Sequence, residues 1–553
     1  MRATPGTDRR RRNLLRPEVP VEWLALGASL FFLVFCNSSF FAAVLATGVL
    51  EAPGGWITVA GIAVLLATLH LVALLLVLTE RTAKPVLAIL FLVTALAAHF
   101  MSKYTVYLDA DMVGSILHTD HKESRELVSW SLLPPVIVLG VLPTLIVCSI
   151  RIRRRPLLRA FAVRTAWIAG TATIALTATL FSFQGVSSLM RNHPEMRHLA
   201  TPGNYLVSLV RVMRSDQIAK GAPRKPVGVD ARVDPRPPSA RPRLLVLVVG
   251  ETVRAQNWGL NGYARQTTPR LAGIAPVNFP NMRSCGTATE VSLPCMFSPR
   301  GKAGYDRETL KRSESMMHLL ARAGVSTSWL DNQTGCKGVC DGLEFESLEH
   351  ATDATRCDSE GCSDRILLDR LPDVVSRHAG DLVVVLHPLG NHGPSYYKRY
   401  PQHLRRFVPA CESPDLDRCD REQIVNAYDN AILATDELLA DTIAFLRTQS
   451  ERDSALVYVS DHGESLGESG LYLHGIPYAI APDTQTRVPM VMWFSSGLLD
   501  ALRLDVDCMK HESSRTAASH DNLFHTVLGV FGVSASEYDP DLDLLRSCIE
   551  PAP

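Results

Sequence analysis

Neither sign of charge is in excess along these 553 residues: Lys plus Arg and Asp plus Glu both total 56. That balance argues against a nucleic-acid partner or a strongly acidic substrate. No internal repeat and no long low-complexity tract occurs, which sets aside repeat architectures and a mainly disordered chain. No small-residue cleavage site stands out after the first apolar run, and several further runs follow it, so a cleavable signal peptide is the weaker reading of that run. The length exceeds that of one ordinary domain, and the mean composition hides two different halves.

The first 190 residues are mostly apolar runs of spanning length, near 21–47, 56–79, 83–101, 128–150 and 164–184. Each is close to the roughly 20 residues a membrane helix needs. Arg9 to Arg12 precede the first run, Arg81 and Lys84 lie between the second and third, and Arg151, Arg153, Arg154 and Arg155 follow the fourth. Positive loops stay in the cytoplasm, so the amino terminus is expected inside and everything after residue 185 outside, although Lys103, Lys122 and Arg125 run against the pattern. Cysteines give a separate test. Two of the 12, Cys36 and Cys148, fall in predicted spans. Four close pairs stand in the second half: Cys285 with Cys295, Cys336 with Cys340, Cys357 with Cys362, and Cys411 with Cys419. Their spacings do not repeat as in a zinc ribbon, which favours disulfides in an oxidising space, with Cys508 and Cys548 a candidate fifth.

Residues 1–185 are therefore read as a transmembrane domain, 186–243 as an interfacial helix and linker, and 244–553 as the catalytic domain. In the middle part, Tyr205, Leu206, Leu209, Val210 and Met213 make one apolar helical face, which fits a helix lying in the membrane interface or equally one packed on the soluble domain, and residues 215–243 are rich in Pro, Arg, Lys and Gly. From 244 onward strand-like and helix-like segments alternate. Val383 to Leu386, Leu456 to Val459 and Pro489 to Phe494 read as buried strands and Glu422 to Leu446 as a long amphipathic helix, the pattern of an α/β sheet between helix layers.

Two strands end in chemistry. Leu244 to Val249 runs into Gly250-Glu251-Thr252, and Leu456 to Val459 into Ser460-Asp461-His462-Gly463-Glu464. Open α/β folds place their sites at this carboxyl edge, and two carboxylates with an imidazole suit zinc with one position left open. Thr287 and Thr289, beside Gly286, offer a nucleophile, and the residues alone leave either hydroxyl possible. His392 and His474 stand in glycine-flanked loops where backbone can approach a ligand closely.

These motifs, with Asn261-Gly262-Tyr263, Cys285-Gly286-Thr287-Ala288-Thr289, Pro294-Cys295-Met296-Phe297-Ser298, Gly390-Asn391-His392-Gly393-Pro394 and Asn426-Ala427-Tyr428-Asp429-Asn430, resemble as a set those of the lipid A phosphoethanolamine transferases. The resemblance covers nearly the whole chain. It implies an α-helical transmembrane domain of about five spans, followed by an alkaline-phosphatase-like α/β soluble domain with a mostly parallel sheet. It implies Thr289 as nucleophile, Glu251, Asp461, His462 and Thr289 around zinc, and His392 and His474 at headgroup or second-metal positions. Lys337 and Thr334 match headgroup donors, with Gln333 where some relatives have Asn; Thr119 and Glu123 match lipid-pocket positions, whereas Ser115 replaces a family Asn. The implied donor is phosphatidylethanolamine, the acceptor a lipid A phosphate, and the setting a monomer in a bacterial inner membrane with its catalytic domain in the periplasm. A phosphoethanolamine or glycerol-phosphate transferase acting on a core sugar or glucan is the nearest alternative. A sulfatase would need a Cys/Ser-x-Pro-x-Arg context that is absent around Thr289, and a non-catalytic sensor would be expected to have lost ligands that are all present.

Overall fold

The computed structural model describes residues 17–119, 126–221, 223–358 and 361–550, so Arg9 to Arg12, Lys122, Glu123 and Arg125 lie outside the described residues. The chain divides into two compact units. The first takes the described residues up to Val113 together with Ser129–Val210; the second takes Gly114–Val128 and everything from Arg211 onward.

Within the first unit, helices α3 (Gly55–Val77), α4 (Ala83–Tyr104), α6 (Trp130–Ser149) and α7 (Leu157–Asn192) are each long and apolar enough to cross a membrane. Helices α1 (Val21–Phe35) and α2 (Ser38–Ala46) make a fifth if a 50° bend is allowed. The first apolar run is thus two helices with a bend between them, and the last of the apolar helices is 36 residues long, well beyond the 164–184 expected. A break frees backbone groups that lipid cannot satisfy. Here Asn37 does so: its Nδ2 donates to Phe32 O at 2.9 Å and to Thr201 O at 2.8 Å, and its Oδ1 accepts from Thr201 N at 2.9 Å. Thr201 Oγ1 in turn donates to Cys36 O at 2.8 Å. Helix α8 (Gly203–Gly221) follows. Its expected apolar stripe divides: Tyr205 turns inward onto Thr94, while Leu206, Val210 and Met213 stay exposed, as does the neighbouring Val207.

A seven-stranded sheet forms the centre of the second unit. Its strands are β1 (Arg243–Gly250), β2 (Val277–Arg283), β3 (Ser326–Asp331), β4 (Glu344–Ser347), β5 (Leu382–His387), β6 (Asp453–Ser460) and β7 (Arg487–Phe494), in the order β2-β7-β6-β1-β5-β3-β4. Only β7 runs antiparallel to its neighbours. Successive strand residues point to opposite faces, and both faces are covered. Leu245, Leu247 and Val249 enter one core with Leu523, Phe524 and Val527 of α12 (Asp521–Phe531). Leu244, Val246 and Val248 enter the other with residues of α10 (Arg365–Arg377) and α11 (Arg421–Arg447). Double burial is why these strands read as unbroken apolar runs. Each side chain so buried contributes roughly 1.5–3 kcal/mol.

All four close cysteine pairs are disulfides: Cys285 is bonded to Cys295, Cys336 to Cys340, Cys357 to Cys362 and Cys411 to Cys419. The candidate fifth, Cys508 with Cys548, is one too, and Cys36 and Cys148 are free. The stretch 215–243 is more structured than its composition suggests. Val227 is buried in the core, and Arg232–Val233 pairs with Val533–Ser534, because its few apolar residues find a place on the sheet's flank. Asn37→Ala should destabilise the first unit by about 1–3 kcal/mol, the cost of stranding buried polar groups. Thermal unfolding of the detergent-solubilised chain measures it, and an unchanged midpoint would contradict the sealing role.

Candidate active site

Register brings the two chemical strand ends together. Ser460 pairs with Gly250, and Asp461 N donates to Gly250 O at 2.9 Å, so Glu251 and Asp461 emerge at the same level of the sheet. Ligand atoms of Glu251, Asp461 and His462 all lie within 4.8 Å of one another, and the three residues are fully buried. His462 Nδ1 donates to Gly463 O at 2.9 Å. That fixes the tautomer and turns the Nε2 lone pair towards Glu251 Oε1 and Asp461 Oδ2, each 3.4 Å away. Burial and the nearby His474 push the His462 pKa well down, which favours the neutral form a ligand needs. Asp461 Oδ2 is buried and makes no hydrogen bond of ordinary geometry among the described residues. Two carboxylates and a neutral imidazole in this arrangement fit a divalent cation.

Thr289 is the first residue of α9 (Thr289–Met296). Its Oγ1 lies 3.0 Å from Glu251 Oε2 and 3.4 Å from His462 Nε2, and it alone of the four is partly open to solvent. Thr287, equally eligible by sequence, donates its hydroxyl to Ile476 O at 2.7 Å. Helical geometry at 289 and a loop bond at 287 thus separate two threonines only two residues apart. The loop before α9 is closed by the disulfide between Cys285 and Cys295 and by Gly286 N donating to Ser292 Oγ at 3.0 Å. A Cβ on Gly286 would stand 2.7 Å from Val291 Cβ, so only glycine fits there.

Of the other expected site residues, His474 and His392 flank this set. The His474 ring is 4.4 Å from that of His462 and 5.7 Å from that of His392. Gln333 Nε2 donates to Glu251 Oε2, a direct hold on a ligand carboxylate. Lys337 Nζ donates to Thr334 Oγ1 at 2.6 Å, on the same loop. Ser115 and Thr119 bond each other, Thr119 Oγ1 donating to Ser115 O at 2.6 Å at the end of α5 (Ala110–His118). Glu123 lies outside the described residues.

Several supporting residues had no role in the sequence reading. Glu464, fully buried, lies 3.2 Å from His474 Nδ1 through Oε2; burial raises its pKa, with His474 acting against that rise. The spacing Asp-His-Gly-Glu was the only available signal. Asp331 and His387 form a buried pair at 2.8 Å, and Asp331 also accepts from Gln333 N and Gly335 N, which fixes the loop carrying Gln333. Thr252 is held at φ +53°, a strained conformation for a β-branched residue. Tyr428 donates to its carbonyl at 2.6 Å, and its amide donates to Asp461 Oδ1 at 3.2 Å. His520 accepts from Cys285 N at 3.0 Å through Nδ1 and donates to Ser460 O at 2.9 Å through Nε2. It thereby joins the loop before α9 to the strand that delivers Asp461.

The comparisons with known proteins agree on what carries this site. Residues 243–533 match the Sulfatase family, and residues 66–217 match the family described as Phosphoethanolamine transferase EptA/EptB. The chain is 36% identical to the phosphoethanolamine transferase EptA of Escherichia coli strain K12 over 97% of this chain and 99% of the relative. The chain belongs to the phosphoethanolamine transferase family. Another family relative, the phosphatidylethanolamine transferase Mcr-1 of Escherichia coli, is 34% identical over 93% of this chain and 95% of its own. The solved lipooligosaccharide phosphoethanolamine transferase A of Neisseria meningitidis, an integral membrane protein, superposes with a TM-score of 0.91 at 34% identity, covering 97% of this chain and all of that one. As in that family, the chain is a multi-pass membrane protein with a sulfatase-like α/β domain.

Burial brings the His520 pKa down to about 4, whereas an unfolded histidine titrates near 6.5. As pH falls through that window the unfolded state takes up a proton that the folded state does not, so His520 subtracts stability between about 6.5 and 4. His520→Asn should flatten the fall of the thermal midpoint between pH 7 and pH 5. A slope equal to wild type would show that His520 does not titrate as its burial demands.

Proposed function

We propose that this enzyme transfers phosphoethanolamine from phosphatidylethanolamine to a phosphate of lipid A, by way of a phosphoethanolamine ester on Thr289. The observation that carries the reading is a partly exposed hydroxyl 3.0 Å from Glu251 Oε2 and 3.4 Å from His462 Nε2, beside a buried set of oxygen and nitrogen donors. Glu251, Asp461, His462 and the Thr289 oxygen would hold one zinc ion. When bound, zinc makes a threonine hydroxyl nucleophilic and polarises phosphoryl oxygens.

The chain's own residues supply the rest. Thr289 donates its hydroxyl proton towards Glu251 Oε2, and its oxygen attacks the donor phosphorus. The bond from phosphorus to the diacylglycerol oxygen breaks in line. His474, with Glu464 against its Nδ1, is oriented to protonate the departing alkoxide through Nε2. Burial, with His474, Arg399 and His462 nearby, holds His392 well below its ordinary pKa, so it offers a neutral ring to the headgroup. Gln333, bonded to Glu251, with Thr334 and Lys337 on the same loop, would serve the ethanolamine phosphate. In the second half-reaction a lipid A phosphate oxygen attacks that phosphorus, the bond from phosphorus to the Thr289 oxygen breaks, and Thr289 recovers its proton from Glu251. Both lipids stay in the bilayer, which suits a catalytic domain tethered by several spans.

The basic loops between spans and five disulfides in the second unit support a periplasmic catalytic domain in a bacterial inner membrane. The added ammonium would lower the negative charge of the outer leaflet and with it the attraction for cationic peptides such as polymyxins.

Thr289→Ala should lower transfer by about a thousandfold or more with the fold retained, while Thr287→Ala should act mainly through the lost Ile476 bond. Near-normal turnover by Thr289→Ala would end the nucleophile assignment. Chelation should abolish activity and zinc restore it in wild type, with Asp461→Ala resisting rescue. Mass spectrometry of lipid A from a susceptible Gram-negative host should show one or more added phosphoethanolamine groups on expression of the intact chain. Phosphoethanolamine on a core sugar or glucan, with lipid A unmodified, would refute the acceptor.

A further inference from the structure

Glu290 follows Thr289 on α9, so its side chain leaves the helix about 100° round from the hydroxyl and meets α5 instead of the metal-ligand set. It is buried, at 6% exposure. Its Oε1 lies 2.7 Å from Arg307 Nη2, 3.2 Å from His118 Nδ1 and 3.3 Å from Lys311 Nζ. Burial alone would raise this carboxyl; His118, Arg307 and Lys311 outweigh it and bring the pKa down to about 2, so the group is an anion at any physiological pH. The other nitrogen of His118 stands 3.4 Å from Asp216 Oδ2, and Asp216 Oδ1 accepts from Lys311 Nζ at 2.7 Å. α5 lies close on this cluster: a Cβ on Gly114 would come 2.3 Å from Arg307 Nη2.

A second stretch, beginning at residue 126, is held as well. Glu126 Oε2 accepts from Arg399 Nη2 at 2.9 Å, with Lys398 Nζ 3.5 Å from its Oε1. Arg399 Nε donates to His392 O at 2.8 Å. One group of contacts therefore sits one residue from Thr289, and the other bonds the backbone of His392. Exposed ion pairs of this kind contribute little. These are different, since the side chains of Glu290 and Arg399 are only 4% and 8% exposed, and breaking a buried pair leaves a charge without compensation.

We propose that these two groups of contacts anchor residues 114–119 and 126–128 against the nucleophile helix and the His392 loop. Glu290, His118, Glu126 and Arg399 are then positioning residues for recognition of the lipid donor and take no part in the transfer step. Ser115 and Thr119 are borne on the first anchored stretch, which Glu290 holds. The inference rests on the reading that the donor is a phosphatidylethanolamine.

The test uses the full chain in mixed micelles, with a phosphatidylethanolamine carrying a fluorescent acyl chain as probe and His118→Ala, Glu290→Gln and Glu126→Gln as variants. His118 is partly exposed, so its variant keeps the anchor testable if Glu290→Gln folds poorly. Each substitution should raise the donor KM about tenfold, the size of one charge-assisted hydrogen bond, with kcat within about twofold of wild type. His118→Ala combined with Glu290→Gln should cost little more than either alone, because they remove the same contact. Hydrogen exchange without any donor should show amides of 110–118 losing protection in His118→Ala. A fall in kcat at constant KM, full additivity, or unaltered exchange in 110–118 would overturn the proposal. A wild-type chain inert towards this probe would instead refute the donor reading, and the exchange result would still decide the anchors.

Discussion

Two carboxylates fully removed from water at neighbouring strand ends repel one another, and everything around them answers that problem. With ligand atoms within 4.8 Å, the repulsion between Glu251 and Asp461 is roughly 3 kcal/mol or more at an effective dielectric constant of about 20. Burial adds to it, and the Asp461 pKa is raised by desolvation above all. The donors within reach only partly compensate: Gln333 Nε2 and Thr289 Oγ1 for Glu251, the Thr252 and His462 amides for Asp461. A divalent cation held by these residues would offset what remains, and it would lower the pKa of a hydroxyl placed beside it. The same electrostatic demand accounts for the candidate metal site, and Thr289, not Thr287, has its hydroxyl against it.

Holding such a site requires a frame that cannot relax away from it. The parallel strands supply it, with both faces packed so that a strand end cannot retreat. Around the edge, each loop is tied to another: Gly390 passes so near Glu251 that a Cβ there would lie 3.0 Å from the Glu251 carbonyl, and Asn391 N donates to that carbonyl at 3.1 Å. Asp364 accepts from Leu389 N, Gly390 N and Asn332 Nδ2, which joins the His392 loop to the loop of Gln333. The strained Thr252 is tolerated only inside this mesh.

Membrane and site are coupled through chemistry more than through shape. The proposed donor and acceptor both remain in a bilayer, and the apolar runs of the first unit would keep the enzyme in the same membrane. The exposed Leu206, Val207, Val210 and Met213 on α8 continue that apolar character beyond the last span. The charged contacts of Glu290 and Glu126 bring a stretch that lies between two membrane helices in sequence onto the soluble unit.

Apolar run length and β-branched runs ending in Glu251 and Asp461-His462 were enough, by themselves, to determine spans, strands and the candidate ligands, because those depend on local periodicity and on what stands at a strand's end. Close cysteine spacing likewise foretold four of the five disulfides; the bond between Cys508 and Cys548, 40 residues apart, could be offered only as the pair left over. Tertiary structure decided the rest. The break at Cys36-Asn37 is invisible in an apolar run, since Thr201, 164 residues away, is what makes it tolerable. Choosing Thr289 over Thr287 needed the helix start and the Ile476 carbonyl. His520, Asp331, Asp364 and Glu290 act through partners more than a hundred residues distant or on other elements, and nothing in their immediate sequence distinguishes them from ordinary polar residues. Long-range contacts of that kind are written only when the chain folds.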